Sequence, residues 1–281
     1  MNKDDKLDLS RRNAHQYLNI NFLEILNIAL AGIRRSSIFL GLGLNAAWNP
    51  EYKNYLLLDS TKIHFIPQQL SDSDIENAKR DFANWLVGNG LREVNEHFDV
   101  FLDKIYEATM MGLVFKHEKI DHEKYAEIKN KCKRFSKKGI EDKFEELKKS
   151  FEFTSDNKDC HLSLKKARNC LSHRLGRVED IDCNDEDKLT ISWLTLDIVT
   201  IKNGEKGEII ELPIKQQHIL TGNVGLGYSY SKTCASFAKG MIVNLNPKNI
   251  NEICFFYAIE AEKIKDSAVE FLKQKGIIFD N

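Results

Sequence analysis

The run HLSLKKARNCLSHRLGRV, residues 161–178, decides the kind of fold to expect and the chemistry it presents. At about 100° per residue, Leu164, Ala167, Leu171, Leu175 and Val178 collect into one stripe, the mark of a helix with a single core-facing side. Asn169 and His173 are four apart and stack on a second face, about 160° from the centre of that stripe. Arg168 lies about 60° off the stripe, neighboured by Lys165 and Ser172 at helical spacing. The expected helix therefore turns an Arg/Asn/His group away from its own core. An arginine offers phosphate a permanently charged, planar fork of donors. A histidine exchanges a proton near neutral pH. Lys165, Lys166, Arg174 and Arg177 make the surroundings basic, which suits a polyanion. Each of those four, taken singly, is also what a solvated helix rim carries, and a lone histidine is commonly structural. The outward group as a set has no packing reason to exist.

Beyond this helix, residues 179–187 form an acidic loop without the regular ligand spacing of a calcium site. Residues 189–201 and 209–214, rich in Leu, Ile, Val and Thr, flank Asn203-Gly204-Glu205-Lys206-Gly207. The expectation is a β-hairpin, residues 188–215. The glycine-dense stretch 221–227 fits neither phosphate-loop spacing and reads as a flexible connection. Two closing helices are expected within 230–276, near 232–243 and 247–275, the second with Pro247 just inside its start and Gly276 after its end.

Before the motif, residues 116–149 are densely charged with thin apolar stripes (Tyr125, Ile128, Cys132, Phe135; then Ile140, Phe144, Leu147). They read as an exposed helical hairpin split near Lys138-Gly139. Its lysines, with Arg134, form the densest basic cluster in the chain and a secondary candidate for gripping a nucleic-acid backbone. Residues 75–105 carry the best helical pattern, interrupted by Gly88 and Gly90, where a kink or two helices in line are expected. Ser71-Asp72-Ser73-Asp74 supplies the N-cap chemistry for that helix. Short β-prone runs are expected at 55–58 and 62–66. Residues 14–39 read as a deeply buried apolar helix, stopped by Gly41 and Gly43.

Net charge is near zero, with 41 basic against 42 acidic side chains, so no global field draws in nucleic acid and any such binding must be local. The six cysteines include no C-x-x-C pair and build no zinc framework. They read as reduced thiols of a cytoplasmic protein. The start of the chain lacks the apolar core of a signal peptide, and residues 22–44 are too often interrupted by polar groups to read as a membrane span. No metal and no cofactor is expected.

The Arg168-Asn169-x-x-x-His173 pattern, late in an antiparallel helical bundle, resembles the signature of HEPN domains. The resemblance covers about residues 72–178 and implies a mainly α fold. That fold is a HEPN-like antiparallel bundle with short flanking β elements and the hairpin inserted after the motif helix, the whole of 1–281 forming one elaborated domain. It implies Arg168 and His173 as catalytic, with Asn169 as the polar residue that follows the arginine, and a homodimer whose two motifs share one cleft. Many members are metal-independent endoribonucleases of toxin–antitoxin and anti-phage systems, so RNA, a second copy and a neutralising antitoxin or regulator are the implied partners. Ser172, Lys165, Lys166, Arg174 and Arg177 are the expected substrate contacts. RNA carries its own nucleophile, the 2′-hydroxyl, so a base and a cation suffice. The alternative is a non-catalytic HEPN-like module that binds nucleotide, RNA or protein through the same face.

Overall fold

Glycine decides how the first two helices meet. The computed structural model describes residues 20–51, 70–115, 122–202, 205–210 and 224–277. Among these, the order is α1 (Phe22–Trp48), α2 (Asp72–Val114), α3 (His122–Phe135), α4 (Ile140–Phe151), α5 (Lys158–His173), a 3-10 turn (Asp180–Asp182), β1 (Lys188–Lys202), β2 (Glu205–Ile210), β3 (Val224–Ala238) and α6 (Pro247–Gln274). The protein is mainly helical, with one small antiparallel sheet ordered β2-β1-β3. The chain divides into two compact units.

One unit takes residues 31–97 and 157–259. Here α1 and α2 run antiparallel, and glycines alternate between them at the contact. A Cβ on Gly43 would lie 2.4 Å from Leu86 Cδ1, and one on Gly90 would lie 2.6 Å from Leu40 Cδ1. The Ser36 hydroxyl donates to the Gly90 carbonyl at 3.3 Å. Gly41 and Gly43 therefore do not stop α1, and α2 runs unbroken through Gly88 and Gly90. The glycines lower helix propensity by about 1 kcal/mol each against alanine but let two backbones approach closely. Contrary to the expectation of deep burial, α1 leaves Ile38, Phe39 and Leu42 exposed. Its apolar run is long enough for a bilayer by length and composition, yet it is tied sideways to α2 by Ser36 and by an Arg35–Glu93 ion pair at 3.1 Å.

In the same unit β1 pairs with β3 along its whole length, Trp193 opposite Thr233. Leu189, Ile191 and Trp193 are fully buried, and the Trp193 indole donates to Glu252 on α6 at 3.0 Å. The expected hairpin is present as β1 and β2, with residues 205–207, expected in the turn, already part of β2, while 203–204 and 211–215 lie outside the described residues. Residues 224–238, where the end of a flexible connection and the start of a closing helix are expected, are instead strand β3, followed by a short tail to 243; residues 221–223 lie outside the described residues. Thr233, Ser236 and the glycines at 225 and 227 suit a pleated ribbon once β1 supplies a partner, a case of tertiary pairing overriding local pattern. The strands expected at 55–58 and 62–66 fall outside the described residues.

The other unit takes residues 98–156 and 260–277 with the start of α1. The charged hairpin is α3 and α4, split at residues 136–139 as its pattern suggests. Phe101, Leu102, Phe135, Phe144, Leu147 and Phe151 form its core, with Tyr106 stacked on Phe135 at 4.1 Å. Lys143 is completely buried, its ammonium 2.7 Å from carboxylate oxygens of both Asp99 and Asp103. Burial pushes the Asp103 carboxyl up from its ordinary value despite the Lys143 contact.

Both long helices are capped as expected. The Ser71 side chain accepts from the Asp74 amide and donates to its carboxylate. Asn246 and Asn249 exchange side-chain and backbone hydrogen bonds before α6, with Pro247 in its first turn and Gly276 at φ 80° beyond its end.

Candidate active site

The motif helix α5 starts at Lys158 and ends at His173, five residues short of the apolar pattern that marked it. Leu164, Ala167 and Leu171 are buried as expected, together with Cys160 and Cys170. Leu175 is not part of that stripe. The chain leaves the helix through two successive left-handed residues, Leu175 at φ 52° and Gly176 at φ 79°, which swing the leucine side chain out to 87% exposure. Val178 is buried, but in the segment that follows. There residues 176–178 pair with 240–243, Val178 N–H donating to Met241 O at 2.9 Å and Val243 N–H to Gly176 O at 2.8 Å.

Two histidines on this helix have opposite surroundings. His161 is completely buried, its ring 4.8 Å from that of Phe256 and 5.3 Å from that of Tyr257. His173, in the last turn, is exposed, as is Ser172. Arg168 and Asn169 are half-buried. The guanidinium donates from Nη1 to Asn169 Oδ1 at 3.0 Å, and its Nε is covered without a hydrogen-bond partner. Beneath lies buried Tyr257, whose hydroxyl donates to Asn95 Oδ1 at 3.0 Å, while Asn95 Nδ2 donates to Leu91 O. Burial pushes the Tyr257 phenol well above its usual range, and the Asn95 hydrogen bond and the positive charge of Arg168 pull the other way. The tyrosine stays protonated, a neutral polar neighbour to the arginine. The buried polar residue on the 92–99 stretch of α2 is Asn95, and it meets Tyr257.

The basic residues around the motif have separate duties. Arg174 forms a bidentate pair with Asp182, Nε to Oδ2 at 2.8 Å and Nη2 to Oδ1. It is therefore not an open phosphate donor as the sequence suggested. Burial raises the Asp182 carboxyl, but Arg174 and the Glu179 amide outweigh this and hold it below its ordinary range. Lys166 donates to the Cys183 carbonyl at 3.0 Å, and Arg177 to the Gly240 carbonyl at 3.1 Å. Lys165 is half-buried on the same helix. The acidic loop is thus spent on local structure: Asp182 on Arg174, Asp180 on Lys239, and Glu179 on a capping box with Asp182. Burial, with Asp182 nearby, drives the Cys170 thiol up to about 12, so it is an inert packing group. Exposed Met241 and Ile242 lie on the segment paired with 176–178, and Leu175, two residues after His173, is exposed as well.

Asn95 and Tyr257 were invisible to sequence reasoning because the contact spans 162 positions. A polar residue inside an otherwise apolar helix face was the only local signal. What the fold and site define is a mainly helical protein whose motif helix carries a half-buried arginine and ends in an exposed histidine. Comparison with family models, with curated proteins and with solved structures found no match.

Proposed function

We propose that this chain is a metal-independent endoribonuclease of the HEPN type, acting as a homodimer with a composite cleft. The observation that carries the reading is the contrast along α5: His161 is sealed in the core, whereas His173 stands exposed at the helix end, just over one turn beyond an arginine braced by Asn169. In the proposed reaction His173 removes the proton of the ribose 2′-hydroxyl, whose oxygen attacks the adjacent phosphorus. The phosphorus–O5′ bond breaks, and the 5′-oxygen receives a proton from the same histidine of a second copy. Arg168 stabilises the non-bridging oxygens as charge grows on them. Asn169 holds the guanidinium in place, and Ser172 with Lys165, Lys166 and Arg177 lies along the approach of the strand. The products are a 2′,3′-cyclic phosphate and a 5′-hydroxyl. A toxin or anti-phage effector role, held in check by a regulator, belongs to this same reading.

The apolar collar of Leu175, Met241 and Ile242 supports the dimer, since it is surface that a second copy would cover. A non-catalytic binding module is the second reading. It is favoured by the partial burial of Arg168 and by the near-zero net charge, which leave little open cationic surface. End-labelled RNA separates the two. Cleavage is expected to persist in EDTA, to fail on a 2′-deoxy strand, and to fall by about a hundredfold or more in Arg168→Ala and His173→Ala. Tight RNA binding without cleavage by the wild type would select the second reading. Loss of activity in EDTA, with His173→Ala active, would remove the mechanism.

A further inference from the structure

In the unit that holds the motif, a cavity of about 360 Å³ opens between the last turn of α1, the first turns of α2 and residues 244–245. Its floor is Leu44, Val87 and Leu245, all buried. Trp48 forms one wall and is half exposed, leaving part of its indole open. At the α2 side stand Lys79 and Arg80. The Lys79 ammonium donates to the Asn49 carbonyl at 2.7 Å and lies 3.8 Å from the Glu76 carboxylate, two contacts that fix it at the cavity edge with a donor left for a further acceptor. Arg80 is exposed, and nothing pairs with it among the described residues. Asn84 and Asn244 add amides that both donate and accept.

We propose that this cavity binds a small molecule made of a planar ring carrying one anionic group. The ring rests on Trp48 over the aliphatic floor, and Lys79 and Arg80 take the anion. Other occupants fit less well. A divalent cation would meet two cations against the single carboxylate of Glu76. A wholly apolar ligand would leave the Arg80 guanidinium and both amides desolvated without partners. The volume lies at the small end of the range for small-molecule sites, about 300–1,000 Å³, which suits a mononucleotide or an aromatic acid and not a nucleic-acid strand.

The cavity also shares its walls with the supports of the motif. Val87 precedes Gly88, where a Cβ would lie only 3.2 Å from Leu171 Cβ, two residues before His173. Leu245 follows Val243, whose amide bonds the Gly176 carbonyl three residues after His173. A bound molecule stiffens the chain on both sides of the histidine. This regulatory consequence rests on the nuclease reading; the binding site does not.

Calorimetric titration of the full-length chain tests the site without any turnover. The probes are adenosine 5′-monophosphate and indole-3-acetate, with adenosine, indole and inorganic phosphate as half-ligands. Saturable binding is expected for at least one ringed anion, about tenfold or more tighter than for its halves. Phosphate against carboxylate is decided by which of the two binds tighter. Arg80→Ala and Trp48→Ala, confirmed folded by circular dichroism, should each weaken it by about tenfold, and His173→Ala should leave it unchanged. The proposal is overturned if neither ringed anion binds at millimolar concentration, if binding survives both Arg80→Ala and Trp48→Ala, or if it is abolished by His173→Ala.

Discussion

Asp182 shows how a single side chain holds the motif in place. It is 2% exposed and takes the Arg174 guanidinium in a bidentate contact just beyond the end of α5. Removing one partner of a buried ion pair costs about 3–5 kcal/mol, because the other charge is left unpaired. Asp182→Asn keeps the volume and one acceptor, so a loss nearer about 2 kcal/mol is expected in urea unfolding. The sign of the pH dependence follows from the lowered carboxyl. The stability it contributes is present in full above the pKa of an unfolded aspartate and is lost as pH falls through the lower folded value. Asp182→Asn should therefore flatten the acid limb of the stability profile while leaving its neutral-to-alkaline part parallel to the wild type. An unchanged acid limb would show that the pair does not govern it. Helical spacing separated His173 from the apolar stripe of α5, and His173 is indeed exposed, whereas Arg168 is half-buried because α2 and α6 bring Asn95 and Tyr257 against that side, which no spacing within α5 reveals. The sequence hid the Arg174–Asp182 pair, since a basic residue beside an acidic loop has several equally reachable partners. It hid Lys143 too, because a lysine in a charged run is by default a surface group.

The glycines of α1 and α2 teach a different lesson, about what a residue without a side chain permits. Read along one chain, Gly41, Gly43, Gly88 and Gly90 are breaks. In the folded unit Gly43 and Gly90 are where Leu86 and Leu40 sit, and Gly88 is where Leu171 of the motif helix rests. Strand β3 was misread for the same reason: the pairing that decides its conformation lies in β1, more than thirty positions earlier at Trp193–Thr233. By contrast, α5, the α3–α4 hairpin and the caps at Ser71 and Pro247 were legible, since each is fixed by neighbours within a turn or two. Gly88→Val is the test at this level. Its branched side chain would collide with Leu171 and add the cost of overpacking, about 1–3 kcal/mol. A drop of that size in stability is expected, together with a larger fractional loss of RNA cleavage than the same destabilisation causes when introduced at Lys143 of the other unit. Equal losses at matched stability would mean that α2 merely supports the fold and does not set the position of His173.

With 41 basic and 42 acidic side chains, the chain gathers no long-range positive field, so under the proposed nuclease reading a strand of RNA would have to be held by local geometry. The proposed second copy would supply that geometry. One exposed histidine cannot act as base toward the 2′-hydroxyl and as acid toward the leaving oxygen in the same step, whereas two facing copies provide both roles. The apolar collar points the same way. Leu175 is held in a left-handed conformation that costs a non-glycine residue about 1–2 kcal/mol, and the strain exposes a leucine beside Met241 and Ile242 rather than hiding it. Such strain persists where the surroundings use it, and in the proposed dimer that use is the apolar rim of the contact. Replacing Leu175 and Ile242 together by glutamate should leave the monomer folded, since both side chains already face solvent, while like charges are set against each other across the proposed two-fold contact. Sedimentation velocity is expected to show wild-type dimers and variant monomers at the same concentration. RNA cleavage per chain should fall in the variant and rise with protein concentration more steeply than in the wild type. A monomeric wild type with full activity would place both proton transfers within one chain, and the composite cleft would have to be abandoned.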